Sequence, residues 1–80
     1  MIDVQVQYFA ILREQRGVAQ EQISTAATTP AGLYDELRAK FPFTLPADRI
    51  RAAVNDAFVP SDRALREGDR IVFIPPVAGG

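Results

Sequence analysis

Four consecutive apolar residues, Ile71-Val72-Phe73-Ile74, run directly into Pro75-Pro76. A strand that is apolar on both faces belongs inside a sheet, with neighbours on either side. The prolines then end the ladder, because neither has an N–H to donate and both fix φ. The fold must therefore be built around a central strand that is almost the last element. It must also release the C-terminus from the middle of the sheet as a stiff, extended arm.

The remainder of the chain supplies that strand's neighbours. Ile2, Val4, Val6 and Tyr8 alternate with Asp3, Gln5 and Gln7, the period of a strand with one buried face. Phe9 to Arg16 changes to helical spacing through Phe9 and Leu12 and stops at Gly17, suited to a left-handed cap. Gln20 to Ser24 reads as a short strand. Thr29 can cap a second helix with Pro30 at its first position, Leu33, Leu37 and Phe41 on one stripe, and Pro42 as its stop. After a loop over Phe43 to Asp48, Arg51–Val54 and Ala57–Val59 read as strands joined through Asn55-Asp56, with Pro60 closing the second. Leu65 tucks inward, and Gly68 supplies a positive φ before the last strand. This order predicts an α+β domain, a mixed sheet with helices packed on one face and the first and last strands adjacent at its centre.

Eighty residues make one domain, since a chain of this size buries only about 60% of its unfolded surface. A hydrophobic fraction of 48% suffices for its core. Net charge is −1 with acids and bases interspersed, so no basic stripe for nucleic acid or anionic membrane is expected. No apolar run approaches the ~20 residues of a membrane span, and the N-terminus alternates rather than forming a signal-peptide block. A cytoplasmic location is the expectation. Cys and His are absent, which removes thiolate, disulfide and imidazole chemistry and leaves no ordinary metal-ligand set. A reaction involving this chain must use a group common to all proteins, with a partner supplying the rest.

The end of the chain offers such a group. Beyond Pro75 and Pro76 the side chains dwindle through Val77 and Ala78 to Gly79 and Gly80. Four extended residues reach about 13–14 Å at ~3.3–3.6 Å each. The tail 75–80 is thus a slender probe with a carboxylate at its tip, narrow enough for a tunnel in another protein. Frayed termini are usually polar; Pro-Pro-Val-Ala is apolar. Where the sheet's uncovered face meets this tail, Phe73 and Ile74 are candidate partner contacts, unless the Phe43–Asp48 loop covers that face.

Taken together, Tyr8-Phe9-Ala10, Leu12-Arg13-Glu14, Gly17, Ala53-Val54-Asn55, Leu65, Gly68-Asp69 and above all Phe73-Ile74-Pro75-Pro76-Val77-Ala78-Gly79-Gly80 resemble the small, sulfur-carrying subunit of molybdopterin synthase, a β-grasp (ubiquitin-like) family. Arg70 departs from the acidic residue common after Gly-Asp there, and Asp56-Ala57-Phe58 is a variable stretch. The resemblance implies that an ATP-dependent enzyme of the ubiquitin-activating type adenylates Gly80. A persulfide donor then converts Gly80 to a thiocarboxylate. A large subunit, in a heterotetramer of two small and two large chains, receives the tail and uses its sulfur to convert a cyclic pyranopterin precursor into molybdopterin. It further implies that the carrier binds no cofactor and that the catalytic groups sit on the large subunit. A thiamine-pathway sulfur carrier shares the Gly-Gly end. A protein modifier conjugated through Gly80 is a second alternative, although Lys40 is the chain's one lysine. A plain interaction domain with a captured C-terminus is the third.

Overall fold

The computed structural model describes residues 1–76. They run β1 (Ile2–Tyr8), α1 (Ala10–Arg16), β2 (Gln20–Thr25), α2 (Pro30–Lys40), a 3-10 turn (Ala47–Arg49), β3 (Arg51–Val54), β4 (Ala57–Val59) and β5 (Arg70–Ile74). The strands form one sheet in the order β2-β1-β5-β3-β4. The doubly apolar strand β5 is central, as its composition requires. It lies parallel to β1, with Gln7 opposite Val72 and Tyr8 opposite Phe73. On its other side β3 is antiparallel, with Arg51 opposite Ile74 and Ala52 opposite Phe73.

Local chemistry sets the ends of the elements. Gly17, at φ 89°, closes α1 and donates its N–H to the Arg13 carbonyl at 2.9 Å, a conformation that costs glycine little. Thr29 Oγ1 accepts the Gly32 N–H at 3.1 Å ahead of Pro30, capping α2. Asn55 and Asp56, at φ 52° and 74°, turn β3 into β4, the geometry a two-residue hairpin needs to match strand twist.

Facing residues of β1, β5 and β3 (Val4, Val6, Tyr8, Ile71, Phe73, Ala52 and Val54) join Leu12 of α1 and Leu33, Tyr34 and Leu37 of α2 in one buried cluster. Both helices thus cover the same face, the arrangement expected of a β-grasp domain. Phe43 belongs to that cluster too, its ring 5.7 Å from Tyr8 and 5.8 Å from Tyr34. The 43–48 loop is therefore anchored on the helix side through Phe43, and only Leu45 of it reaches the Ile74 end of the sheet. The opposite face carries Gln5, Gln7, Ala53, Phe58, Val72 and Ile74. None of the described helices is long and apolar enough to cross a membrane.

The end of the sheet remote from Ile74 is locked by a buried carboxylate. Asp69 is 7% exposed. It accepts hydrogen bonds from Asn55 Nδ2 at 2.9 Å and the Arg66 N–H at 2.9 Å, and pairs with Arg63 at 3.4 Å. Asn55 also exchanges backbone and side-chain bonds with Arg70. Burial alone would raise the Asp69 pKa, but the Arg66 N–H, the Asn55 amide and Arg63 outweigh it and hold the carboxyl below its ordinary range. A depressed folded pKa contributes stability that is complete above the unfolded value near 4 and is lost as pH falls through the folded value. Asp69→Ala is expected to cost about 2–3 kcal/mol at pH 7. That corresponds to a Tm drop of at least ~8 °C for a domain of this size. The gap from the wild type should narrow in thermal melts below about pH 4.

Candidate functional site

β5 delivers Ile74, then Pro75 and Pro76, to the end of the sheet where β1 passes into α1. Here the surface is unusually apolar. Phe9 is 44% exposed and Ile11 41% exposed. Together with Ala10, Leu45, Ile74, Pro75 and Pro76 they line an open concavity of about 530 Å³. Between the two exposed side chains, Ala10 holds φ 51°, a left-handed conformation that costs a residue with a Cβ on the order of 1 kcal/mol or more. That turn lets Leu12 point into the core while Phe9 and Ile11 stay outside. Strain kept beside two solvent-exposed apolar residues makes this rim the candidate site.

The rim is held from beneath. Tyr34 Oη donates to the Leu45 carbonyl at 2.7 Å. Gln15 Nε2 donates to Thr44 Oγ1 at 2.9 Å, while Gln15 Oε1 accepts the Thr44 N–H at 3.3 Å. These bonds fix Leu45 against α1. The next residue of α1, Arg16, gives Glu21 two hydrogen bonds, at 2.8 and 2.7 Å, and stacks 4.0 Å over the Phe41 ring. Tyr8 Oη donates to the same Glu21 carboxylate at 2.7 Å. Burial, reinforced by the Glu21 hydrogen bond and charge, pushes the Tyr8 hydroxyl well above its ordinary pKa. The Arg16 hydrogen bonds lower that of Glu21. Tyr8 therefore stays protonated and Glu21 ionised near neutrality. The cluster braces α1 and offers no general acid or base. Among the described residues no group of His, Cys, Asp or Glu could hold a metal ion.

Of the sequence-derived candidates, Ile74 is half-buried on the open face, and Pro75 and Pro76 stand at the tail's root. Phe73 does not belong with them. It is 1% exposed, and its ring meets Tyr34 edge-on at 5.4 Å. Phe73 is core, because its register with Tyr8 and Ala52 fixes it on the helix face. Val77, Ala78, Gly79 and Gly80 lie outside the described residues. Phe9, read from the sequence as part of an inward helical stripe, is instead a rim residue. The signal for it was an aromatic and a branched aliphatic flanking an alanine at a helix start that can bury only one side chain. Asn55 and Gly68-Asp69, conspicuous in the sequence, form the structural lock at the far end. The two departures there compensate each other: Arg70 forms an ion pair with Asp56. On the open face Ala53 and Val72 are buried, whereas Phe58, 59% exposed, carries the Arg51 guanidinium 4.5 Å above its ring.

Comparison with known proteins gives the arrangement a context. The pattern of the ThiS family matches residues 6–80. A relative from Mycobacterium tuberculosis, named molybdopterin synthase sulfur carrier subunit, is 37% identical over 83 residues spanning 100% of both chains. A chain of the solved complex of subunits 1 and 2 of molybdopterin-converting factor from Helicobacter pylori matches with a TM-score of 0.68 at 26% identity. The match covers 99% of this chain and 100% of that one. The small archaeal modifier protein 1 from Methanosarcina acetivorans superimposes with a TM-score of 0.79 over 100% of this chain and 98% of its own. At 23% identity that likeness concerns the fold alone.

Proposed function

Because the chain belongs to the ThiS family, we propose that it is the sulfur carrier subunit of a molybdopterin synthase. The observation that carries this reading is the geometry of the tail's exit. A rigid central strand ends in Pro75-Pro76 inside an apolar rim, so a partner that accepts the tail must also cover that rim. Similarity at 37% identity over the whole length of a relative bearing the molybdopterin synthase name favours this pathway over thiamine. The likeness to a chain solved in a subunit 1–subunit 2 complex supports a large-subunit partner.

In this reading the chemistry is carried at Gly80. A carboxylate is a poor acyl donor, because its leaving group would be oxide. An adenylating partner uses ATP to give it AMP as leaving group. The terminal sulfur of a persulfide then displaces AMP to form an acyl disulfide, and a second thiol cleaves that S–S bond, leaving a thiocarboxylate on Gly80 and a disulfide on the donor. The large subunit admits the tail to its active site and supplies the acid–base groups that this chain lacks. What the carrier contributes is position: a braced body holds one reactive atom at the tip of a narrow arm. ATP belongs to the activating partner, the working assembly is a heterotetramer of two small and two large subunits, and the cycle runs in the cytoplasm.

The test joins mass to turnover. The purified chain is incubated with the adenylating enzyme, ATP, a persulfide donor and a reducing thiol, then digested with trypsin. The peptide Ile71–Gly80 is expected to gain the mass of one oxygen exchanged for sulfur, and the loaded chain plus the large subunit should convert the pyranopterin precursor. Sulfur mapped to another peptide, or a loaded carrier that yields no molybdopterin, would overturn the proposal.

A further inference from the structure

Two guanidiniums stack on aromatic rings, Arg16 on Phe41 and Arg51 on Phe58, and among the described residues only Arg51, on the open face, does so without an ion pair. Arg16 is spent on Glu21, Arg63 on Asp69 and Arg70 on Asp56. Arg51 has no such ion pair among the described residues; its guanidinium lies 4.5 Å over the ring of Phe58. Arg51 is directly opposite Ile74 in the β3–β5 register, and Phe58 is opposite Ala53 in the β3–β4 register. Both side chains therefore stand on the uncovered face, one strand away from the tail's root.

We propose that Arg51, seated on Phe58, is a specificity contact that receives a carboxylate side chain of the large subunit when the tail is engaged. The proposal rests on the carrier reading above and names the partner chemistry of its docking face. Stacking occupies one flat side of the guanidinium and leaves its edge N–H groups free, the geometry that takes a carboxylate in two parallel hydrogen bonds. The aromatic seat also narrows the rotamers open to a long side chain, so less freedom is lost on binding. Phe58, 59% exposed, supplies apolar area whose burial would dry the pair and strengthen it. One unpaired guanidinium and an ion-paired Arg70, on a chain of net charge −1, make no phosphate-tracking surface, so the occupant is a protein carboxylate. Continuity with the tail identifies the protein: Arg51 is opposite Ile74, the residue before Pro75-Pro76, so a surface that takes the tail is within reach of it.

The test measures binding of the full-length chain to the purified large subunit at about 50 mM and about 500 mM salt, where screening differs strongly. Arg51→Glu is expected to weaken binding at least tenfold at low salt, on the order of a like-charge contact, with the gap shrinking at high salt. Arg51→Lys should recover only part of the loss, because an ammonium cannot bind a carboxylate in the same two-pronged way. Phe58→Leu keeps an apolar side chain but removes the seat, and Arg51→Ala should cost less in that background than in the wild type. Phe9→Asp, on the far side of the tail's exit, controls for the docking reading itself. Wild-type affinity for Arg51→Glu beside a large loss for Phe9→Asp would overturn this proposal and leave the carrier reading standing. Wild-type affinity for both would remove the docking face altogether. Equal Arg51→Ala losses in the two backgrounds would overturn the seated-arginine inference.

Discussion

Phe73→Asp is expected to abolish folding, whereas Ile74→Asp, one residue further along the same strand, should fold and fail to dock. Phe73 is 1% exposed, opposite Tyr8 and Ala52 and edge-on to Tyr34. Removing a buried ring costs about 3–5 kcal/mol, and placing an unpaired carboxylate there adds several more. An 80-residue domain has only about 4–12 kcal/mol to lose, at ~0.05–0.15 kcal/mol per residue. Ile74 points to the opposite face and is half-buried. A carboxylate there keeps water and faces Arg51 across the β3–β5 ladder, so stability should fall by about 1 kcal/mol or less. It would nonetheless place a charge in the apolar rim and engage the Arg51 guanidinium, and both effects oppose docking. Circular dichroism and binding to the large subunit read the two outcomes separately. A folded Phe73→Asp chain with a wild-type melt would contradict the core assignment. Unchanged affinity of Ile74→Asp would place the docking surface elsewhere.

The contrast between these neighbours also shows how far the sequence could be read. A strand apolar at every position reveals that it is central but gives no phase, since period-two alternation is the signal for which face is buried. Phase came from the partner: β1 alternates cleanly, and the pairing of Tyr8 with Phe73 carries its phase into β5. The strand framework, the Gly17 stop, the Thr29-Pro30 start and the Asn55-Asp56 turn were legible because each rests on chemistry within a few residues. Phe43 and Tyr34 were not, because their burial depends on a loop returning to the helix face and on the Leu45 carbonyl meeting Tyr34 Oη. Nor was Asp69, which reads as an ordinary turn acid until Asn55, 14 positions away, is brought against it. At the site, the tail's root at Pro75 and Pro76 could be read from composition alone. The rim of Phe9, Ile11 and Leu45 could not: Phe9 and Leu12 have helical spacing, and only the left-handed Ala10 separates their directions.

Changing the length of the tail by one residue should stop molybdopterin formation without touching the fold. Appending a residue after Gly80 moves the terminal carboxyl by ~3.3–3.6 Å, and deleting Gly80 withdraws it by as much. A reacting atom misplaced by ~1 Å can cost on the order of 100-fold in rate, so either change should reduce product formation by at least that factor. Gly79→Val should fail as well, since a β-branched side chain widens the probe and restricts φ and ψ beside its tip. The buried cluster that stabilises the domain is built from residues between Val4 and Phe73. Melting should therefore stay within the ±0.5 kcal/mol typical of surface substitutions. The rim formed by Phe9, Ile11, Leu45 and Ile74 is intact in all three variants, so binding to the large subunit should persist. Each variant should then compete with the wild-type carrier while delivering nothing. The measurement is molybdopterin formed by each chain in single turnover after equal sulfur loading, with melts and competition binding alongside. Near-normal product from the lengthened or shortened tail would mean that sulfur does not leave from Gly80, and the carrier assignment would fall with it. Loss of product together with loss of binding would instead assign the tail a share of the docking energy, and the rim would no longer suffice to hold the complex.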